Sequence, residues 1–170
     1  VLEVVPTITD SVTETKKSAS GELEVEFSHV SMKYAGNAQD SLTDINLKVK
    51  KGQTIGIIGG TGSGKSSVVN LIPRFYDVTN GSVKIDGKDI RSLTLKSLRD
   101  HIGIVQQDVY LFVGTVYDNI RYGKPDATRE EVIAAAKNAN AHDFIMKMEK
   151  GYDTELKERG AGLSIGQRQL

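Results

Sequence analysis

The sequence predicts an α/β fold built around a glycine-rich loop, and three observations support it. The stretch Gly59-Gly60-Thr61-Gly62-Ser63-Gly64-Lys65-Ser66 fits the pattern G-x-x-x-x-G-K-[ST]. It lies between Thr54-Ile55-Gly56-Ile57-Ile58, an apolar run that reads as a buried strand, and Ser67-Val68-Val69-Asn70-Leu71-Ile72, which can open a helix ending at Pro73. Alternating strand patterns precede this unit, and helix-start signals follow it.

Residues 7–21 are rich in Thr, Ser, Glu and Lys and read as a linker. Order is expected to begin at Glu22, where Leu23, Val25 and Phe27 alternate with glutamates like a half-buried strand. Ile45, Leu47 and Val49 alternate likewise, and Lys50-Lys51-Gly52-Gln53 turns the chain toward the loop. Ser82-Val83-Lys84-Ile85 reads as a strand entering a tight turn at Asp86-Gly87. Thr94 to Asp100 can form a short helix, and Ile102-Gly103-Ile104-Val105 reads as a second buried strand. Thr128-Arg129-Glu130-Glu131 is a capping box that opens a helix through Val132, Ile133, Ala135, Ala136 and Ala139. A further helix is expected from Ala141 to Glu149, with Phe144, Ile145 and Met148 on its apolar face. There is no internal repeat.

Composition narrows the function classes. A chain of 170 residues suits about one domain, and 38% apolar residues can build a core. Lys+Arg and Asp+Glu both number 22, which argues against a strongly basic nucleic-acid surface. Cysteine is absent, so neither disulfides nor thiolate chemistry are expected. His29, His101 and His142 are too scattered to suggest a histidine-rich metal site. No run approaches the roughly 18 apolar residues that span a bilayer. The start, Val1 to Pro6, has neither a signal-peptide pattern nor an initiator methionine, so the chain is expected to be a piece of something longer.

The chemistry of the loop explains its residue types. Glycines let the backbone curl and turn N–H groups onto phosphate oxygens. Lys65 would reach the β- and γ-phosphates, and the Ser66 hydroxyl would sit on Mg²⁺. A plain glycine-rich turn with a surface lysine would leave the rest of the pattern unexplained.

The end of the chain narrows the class further. Leu163-Ser164-Ile165-Gly166-Gln167 resembles the LSGGQ signature of ABC-type ATPases, and Arg168-Gln169 continues it. Phe75-Tyr76-Asp77, Gly81 and Ile85-Asp86-Gly87 resemble that family's RFYD…G…IDG run, and Val105-Gln106-Gln107-Asp108 its Q-loop. Tyr34 stands 25 residues before Gly59, where the family places an adenine-stacking aromatic. Gly151-Tyr152-Asp153-Thr154, Glu158-Arg159-Gly160, Leu111-Phe112, Gly114-Thr115 and Asn119-Ile120 resemble the exporter branch. Leu2-Glu3-Val4-Val5 with Ile8 resembles the joint between an exporter's last transmembrane helix and its nucleotide-binding domain. The resemblance to the nucleotide-binding domain of an exporter-type, multidrug- or lipid-exporter-like ABC transporter covers residues 22–170. There are departures: Ile165 replaces a signature glycine, Lys157 stands where glycine is common, and Glu149 where proline often precedes Gly151.

The resemblance implies a P-loop NTPase fold, with a RecA-like core, an N-terminal antiparallel β region and the start of a helical subdomain over 109–165. It makes residues 1–21 the linker from a transmembrane domain and 22–170 the N-terminal two-thirds of the ATPase domain, an incomplete fold. ATP and Mg²⁺ are the implied cofactors. Tyr34 would stack on adenine, and Gly59, Thr61, Gly62, Ser63, Gly64, Lys65, Ser66 and Ser67 would hold the phosphates. Ser66 and Gln107 would hold the metal; Gln106 is the rival position, and register with Asp108 favours Gln107. Leu163, Ser164, Ile165, Gly166 and Gln167 would close over the ATP of a second nucleotide-binding domain packed head to tail. Val109 to Tyr117 and Glu158 to Gly160 would touch a transmembrane domain fused on the N-terminal side. That places the chain at the cytoplasmic face of a membrane, as part of an exporter that couples ATP hydrolysis to solute transport.

The family's hhhhDE element, with its catalytic glutamate, would lie beyond Leu170. Ile104 to Asp108 and Val83 to Asp86 do not replace it, so the segment alone is expected to bind ATP without efficient turnover. Two alternatives stand beside this reading: a soluble ABC ATPase and a non-hydrolysing nucleotide-binding module. A small-molecule kinase would leave residues 151–169 unexplained.

Overall fold

Opposite charges face each other across the first two strands. In β1 (Glu24–Met32) and β2 (Leu42–Lys50), which run antiparallel, Glu24 stands opposite Lys50 and Glu26 opposite Lys48. The intervening residues pair apolar to apolar, Val25 with Val49 and Phe27 with Leu47. Such cross-strand pairs stabilise a sheet and select one register. On its other side β1 meets β3 (Asn80–Ile85), with Phe27 opposite Val83 and Val25 opposite Ile85. A short β4 (Lys88–Asp89) completes an antiparallel sheet of order β2-β1-β3-β4. This computed structural model describes residues 8–10, 24–106, 109–157 and 160–170. The 1–21 linker and its Leu2-to-Val5 joint therefore lie almost wholly outside the described residues.

The chain divides into two compact units, Val1–Gly103 and Ile104–Leu170. In the first, Phe27, Val30 and Met32 are all buried, a spacing that simple alternation does not give. Register shifts on both sides of Val30, and His29 takes φ 49°, so the strand is bulged. The extra residue returns Val30 and Met32 to the core face. Gly81 of β3 presses against this bulge. A Cβ there would stand 2.3 Å from the carbonyl oxygens of both Ser28 and His29.

Helix α1 (Lys65–Leu71) buries Val68 and Leu71 in the same core. They pack with Ile90 of a 3-10 turn (Ile90–Ser92), Leu93, and Leu98 of α2 (Leu95–Arg99). The expected helix at 94–100 is present, capped by the Thr94 hydroxyl, which accepts from the Ser97 N–H at 3.2 Å. The expected buried strands at Thr54–Ile58 and Ile102–Val105 are not formed. Both runs lie outside every described strand, with Ile58 98% and Val105 80% exposed. A strand exists only through pairing, and no described strand runs beside either run.

The second unit is held by helix caps. Thr115 caps α3 (Val116–Arg121), Thr128 caps α4 (Arg129–Asn138) and Ser164 caps α6 (Ile165–Gln169), each as a reciprocal box. The helix expected at 141–149 is shorter, α5 (His142–Met146), because the chain tightens into turns before Gly151. A two-stranded ribbon joins β5 (Gly114–Thr115) to β6 (Glu155–Leu156). Val116, Val132, Ala136, Ile145, Tyr152 and Leu156 form the core. The buried Tyr152 hydroxyl lies 2.8 Å from Nδ1 of His142, and burial raises the tyrosine's pKa. Among the described residues no helix is long and apolar enough to cross a membrane.

Candidate nucleotide-binding site

The glycine loop reaches α1 through a left-handed turn. Gly62 has φ 79° and Gly64, the residue that caps α1, has φ 86°. No side chain caps this helix, so the first backbone N–H groups of α1 are left for a ligand or water. Gly64 is also a packing position: a Cβ there would stand 2.7 Å from Leu42 Cδ2 and 3.0 Å from the Ser41 carbonyl oxygen. The start of β2 therefore forms the floor of the loop. Nothing local in the sequence marks Ser41 and Leu42 for this.

Lys65 folds back over the loop that precedes it. Its ammonium donates to the carbonyl oxygens of Gly59 at 2.8 Å and Gly60 at 2.7 Å, and approaches Ser63 Oγ at 3.3 Å. Gly59 through Ser63, Thr61 included, are exposed, and so is Ser66. The Ser66 hydroxyl makes no hydrogen bond among the described residues, which leaves a free oxygen ligand beside the loop. That donor suits a hard cation such as Mg²⁺, which commonly takes one or two protein oxygens and fills its sphere with phosphate and water.

Ser67 differs from its neighbour. It is buried at 7% exposure, and its hydroxyl lies 2.8 Å from the phenol oxygen of Tyr34. The Tyr34 ring meets Tyr76 edge-on, with centroids 4.9 Å apart and planes at 88°. The structure thus joins the expected base-stacking residue to the phosphate-loop helix. Gln107 lies outside the described residues, as do Asp108, Glu158 and Arg159. Gln106 is exposed.

The signature-like stretch forms a turn into α6. Ser164 Oγ accepts from the Gln167 N–H at 3.1 Å, and the Ser164 N–H donates to Gln167 Oε1 at 3.0 Å. Ser164, Ile165 and Gly166 are exposed, Ile165 at 69%, while Leu163 and Gln167 are half-buried. Of the exporter-like segment, Phe112 is held in place by Asn119. The Asn119 side chain accepts from the Phe112 N–H and donates to its carbonyl oxygen, at 2.9 and 3.0 Å.

A family model described as ABC transporter matches residues 42–170. The chain belongs to the ABC transporter family. It is 54% identical over 145 residues to a multidrug export ATP-binding/permease protein of Staphylococcus aureus (strain NCTC 8325 / PS 47), a match that covers 85% of this chain and 25% of that protein. It is 53% identical over the same length to YgaD of Bacillus subtilis (strain 168), which carries the same description, with the same coverage. Among solved structures it is similar to a bacterial Atm1-family ABC exporter with ATP bound, with TM-score 0.86 and 40% identity. That likeness covers 95% of this chain and 28% of the other. This ABC transporter chain therefore spans about a quarter of the length of the curated relatives it matches. Its fold is that of a P-loop NTPase, and its sheet of described strands is the antiparallel β region.

Proposed function

We propose that the chain is the ATP-binding part of an exporter that couples ATP binding and hydrolysis to movement of a solute across a membrane. The observation that carries this is the loop itself: an uncapped helix start behind two left-handed glycines, with the Lys65 ammonium held over it by neutral oxygens. On this reading the ATP phosphates take the place of those oxygens. Gly59, Thr61, Gly62, Ser63 and Gly64 offer backbone donors, and Lys65 bridges the terminal phosphates. Tyr34 stacks on the base. A Mg²⁺ held by the Ser66 hydroxyl and Gln107 would neutralise charge on the phosphate oxygens.

Leu163 to Gln167 serve the nucleotide of a second, head-to-tail domain. The exposure of Ser164, Ile165 and Gly166 supports this, since a surface that waits for a partner stays uncovered. Val109 to Tyr117 face a transmembrane domain, which places the chain at the cytoplasmic face of a membrane. Supporting this, Tyr110, Phe112 and Val113 are exposed at 59%, 43% and 76%, an apolar surface that suits a protein partner. The relatives' names, which join ATP-binding and permease, point the same way.

Equilibrium binding of ATP with Mg²⁺ to the full-length gene product tests the reading. Lys65→Ala should remove measurable binding while leaving the thermal transition in place. Undiminished binding by that variant would refute the assignment.

A further inference from the structure

We propose that Tyr76 is a positioning residue for the nucleobase: set at right angles to Tyr34, it fixes the plane in which Tyr34 receives adenine. The inference rests on the reading of Tyr34 as the stacking residue and adds the group that orients it.

The hydrogen bond to Ser67 cannot do this alone. A tyrosine hydroxyl lies on the axis about which the ring rotates. The 2.8 Å contact with Ser67 Oγ therefore locates the ring without setting its plane. Stacking depends on the plane. Tyr34 packs on one side against the buried core of this unit, and its aromatic neighbour is Tyr76, at 4.9 Å and 88°. That perpendicular packing is an aromatic arrangement favoured by the ring quadrupoles, and it selects one ring plane.

The backbone around Tyr76 is anchored, although the side chain itself is 41% exposed. Arg74, buried at 6% and with φ 54°, pairs with both carboxylate oxygens of Asp77 at 2.7 and 3.1 Å. Arg99 donates to the carbonyl oxygens of Pro73 and Arg74 and lies 5.3 Å from the centre of the Phe75 ring. The segment is then stitched to the end of β1 and the residue after it, just before Tyr34. The Thr79 N–H donates to Ser31 O at 2.8 Å, and the Lys33 N–H donates to Thr79 Oγ1 at 3.0 Å. Two aromatic segments tied together at their roots keep their rings in register. An exposed ring on so fixed a backbone serves geometry more than core burial.

The test compares Kd for ATP with Kd for inorganic triphosphate, both with Mg²⁺, in the full-length gene product. Tyr76→Leu should weaken ATP by about three- to tenfold, the scale of one aromatic pair, and leave triphosphate within about twofold. Tyr76→Phe should behave as wild type, because the contact uses the ring and not the hydroxyl. In a Tyr34→Leu background, Tyr76→Leu should change nothing further. Equal weakening of both ligands, a Phe variant as poor as the Leu variant, or an effect that persists without Tyr34 would each overturn the proposal. If Tyr34→Leu leaves the ratio of the two affinities unchanged, the stacking reading fails and takes the proposal with it. A strong Tyr34 effect beside a silent Tyr76→Leu overturns the role of Tyr76 alone.

Discussion

Leu42 lies directly beneath Gly64, with its Cδ2 atom 2.7 Å from where a Cβ on that glycine would be. The Ser41 carbonyl oxygen closes the same space at 3.0 Å, and φ at Gly64 is 86°. Gly64→Ala therefore meets both a clash and a left-handed backbone that costs an ordinary residue about 1–2 kcal/mol. The loop must shift to accept it. ATP binding should fall by at least about tenfold, since phosphate contacts depend on backbone placement. Leu42→Ala on top should not restore it, because the backbone contact and the φ remain. Titration with a fluorescent ATP analogue checks both variants.

A sharper stability test lies at Gly81. A Cβ there would sit 2.3 Å from two backbone oxygens of the β1 bulge, and backbone cannot swing aside as a side-chain tip can. Gly81→Ala should destabilise the protein by about 3 kcal/mol or more, at the upper end for a single methyl group. Urea unfolding followed by circular dichroism measures it. A loss below about 1 kcal/mol would mean that the bulge relaxes freely.

Ser164 lets two roles be separated. Its hydroxyl caps α6 in this structure, and the proposed function also gives it a part in holding the nucleotide of a second domain. Ser164→Ala should cost about 0.5–2 kcal/mol of local stability through the lost cap. Ser164→Asp keeps a capping oxygen but places negative charge where phosphate would arrive. The Asp variant should match wild type in thermal stability and still fail to form an ATP-dependent dimer by size-exclusion chromatography. Dimerisation of Ser164→Asp at wild-type ATP concentrations would leave the residue as a cap only.

Acid should act on Asp89. Burial raises this carboxyl, but hydrogen bonds from the Arg91 side chain and backbone N–H outweigh it, leaving the pKa below its ordinary 3.8. A depressed carboxylate contributes stability above its unfolded pKa, and that contribution is lost as pH falls through the folded value. Urea midpoints should hold between about pH 7 and pH 5 and decline below about pH 4. Asp89→Asn should lower the plateau and flatten the decline. Identical slopes in both proteins would exclude Asp89 as a contributor.

Features written in local chemistry were legible in the sequence. The glycine loop and α1 follow from residue types at fixed offsets. Thr128 and Ser164 announce their caps, because cap and partner lie three residues apart. Val25 with Phe27, and Ile45 with Leu47 and Val49, show the period of a half-buried strand. The second half of β1 was hidden, because the bulge at His29 breaks that period. Ile55 to Ile58 and Ile102 to Val105 misled for the opposite reason: their apolar character is local, whereas strand pairing is not. In the candidate site, the loop residues could be named from the pattern. The Ser67–Tyr34 bond, the right angle with Tyr76 and the Leu42 floor join residues distant in sequence, and no periodicity reports them.

The Lys65 ammonium has three neutral oxygens as its near neighbours, two of them carbonyls. Its N–H bonds are satisfied while its positive charge meets no carboxylate among them. On the proposed function, the resting loop would behave as a small anion exchanger, trading weak internal dipoles for a multivalent oxyanion that fits. Sulfate or phosphate in a buffer should then compete with nucleotide there, and affinities measured in those salts should understate those measured in chloride.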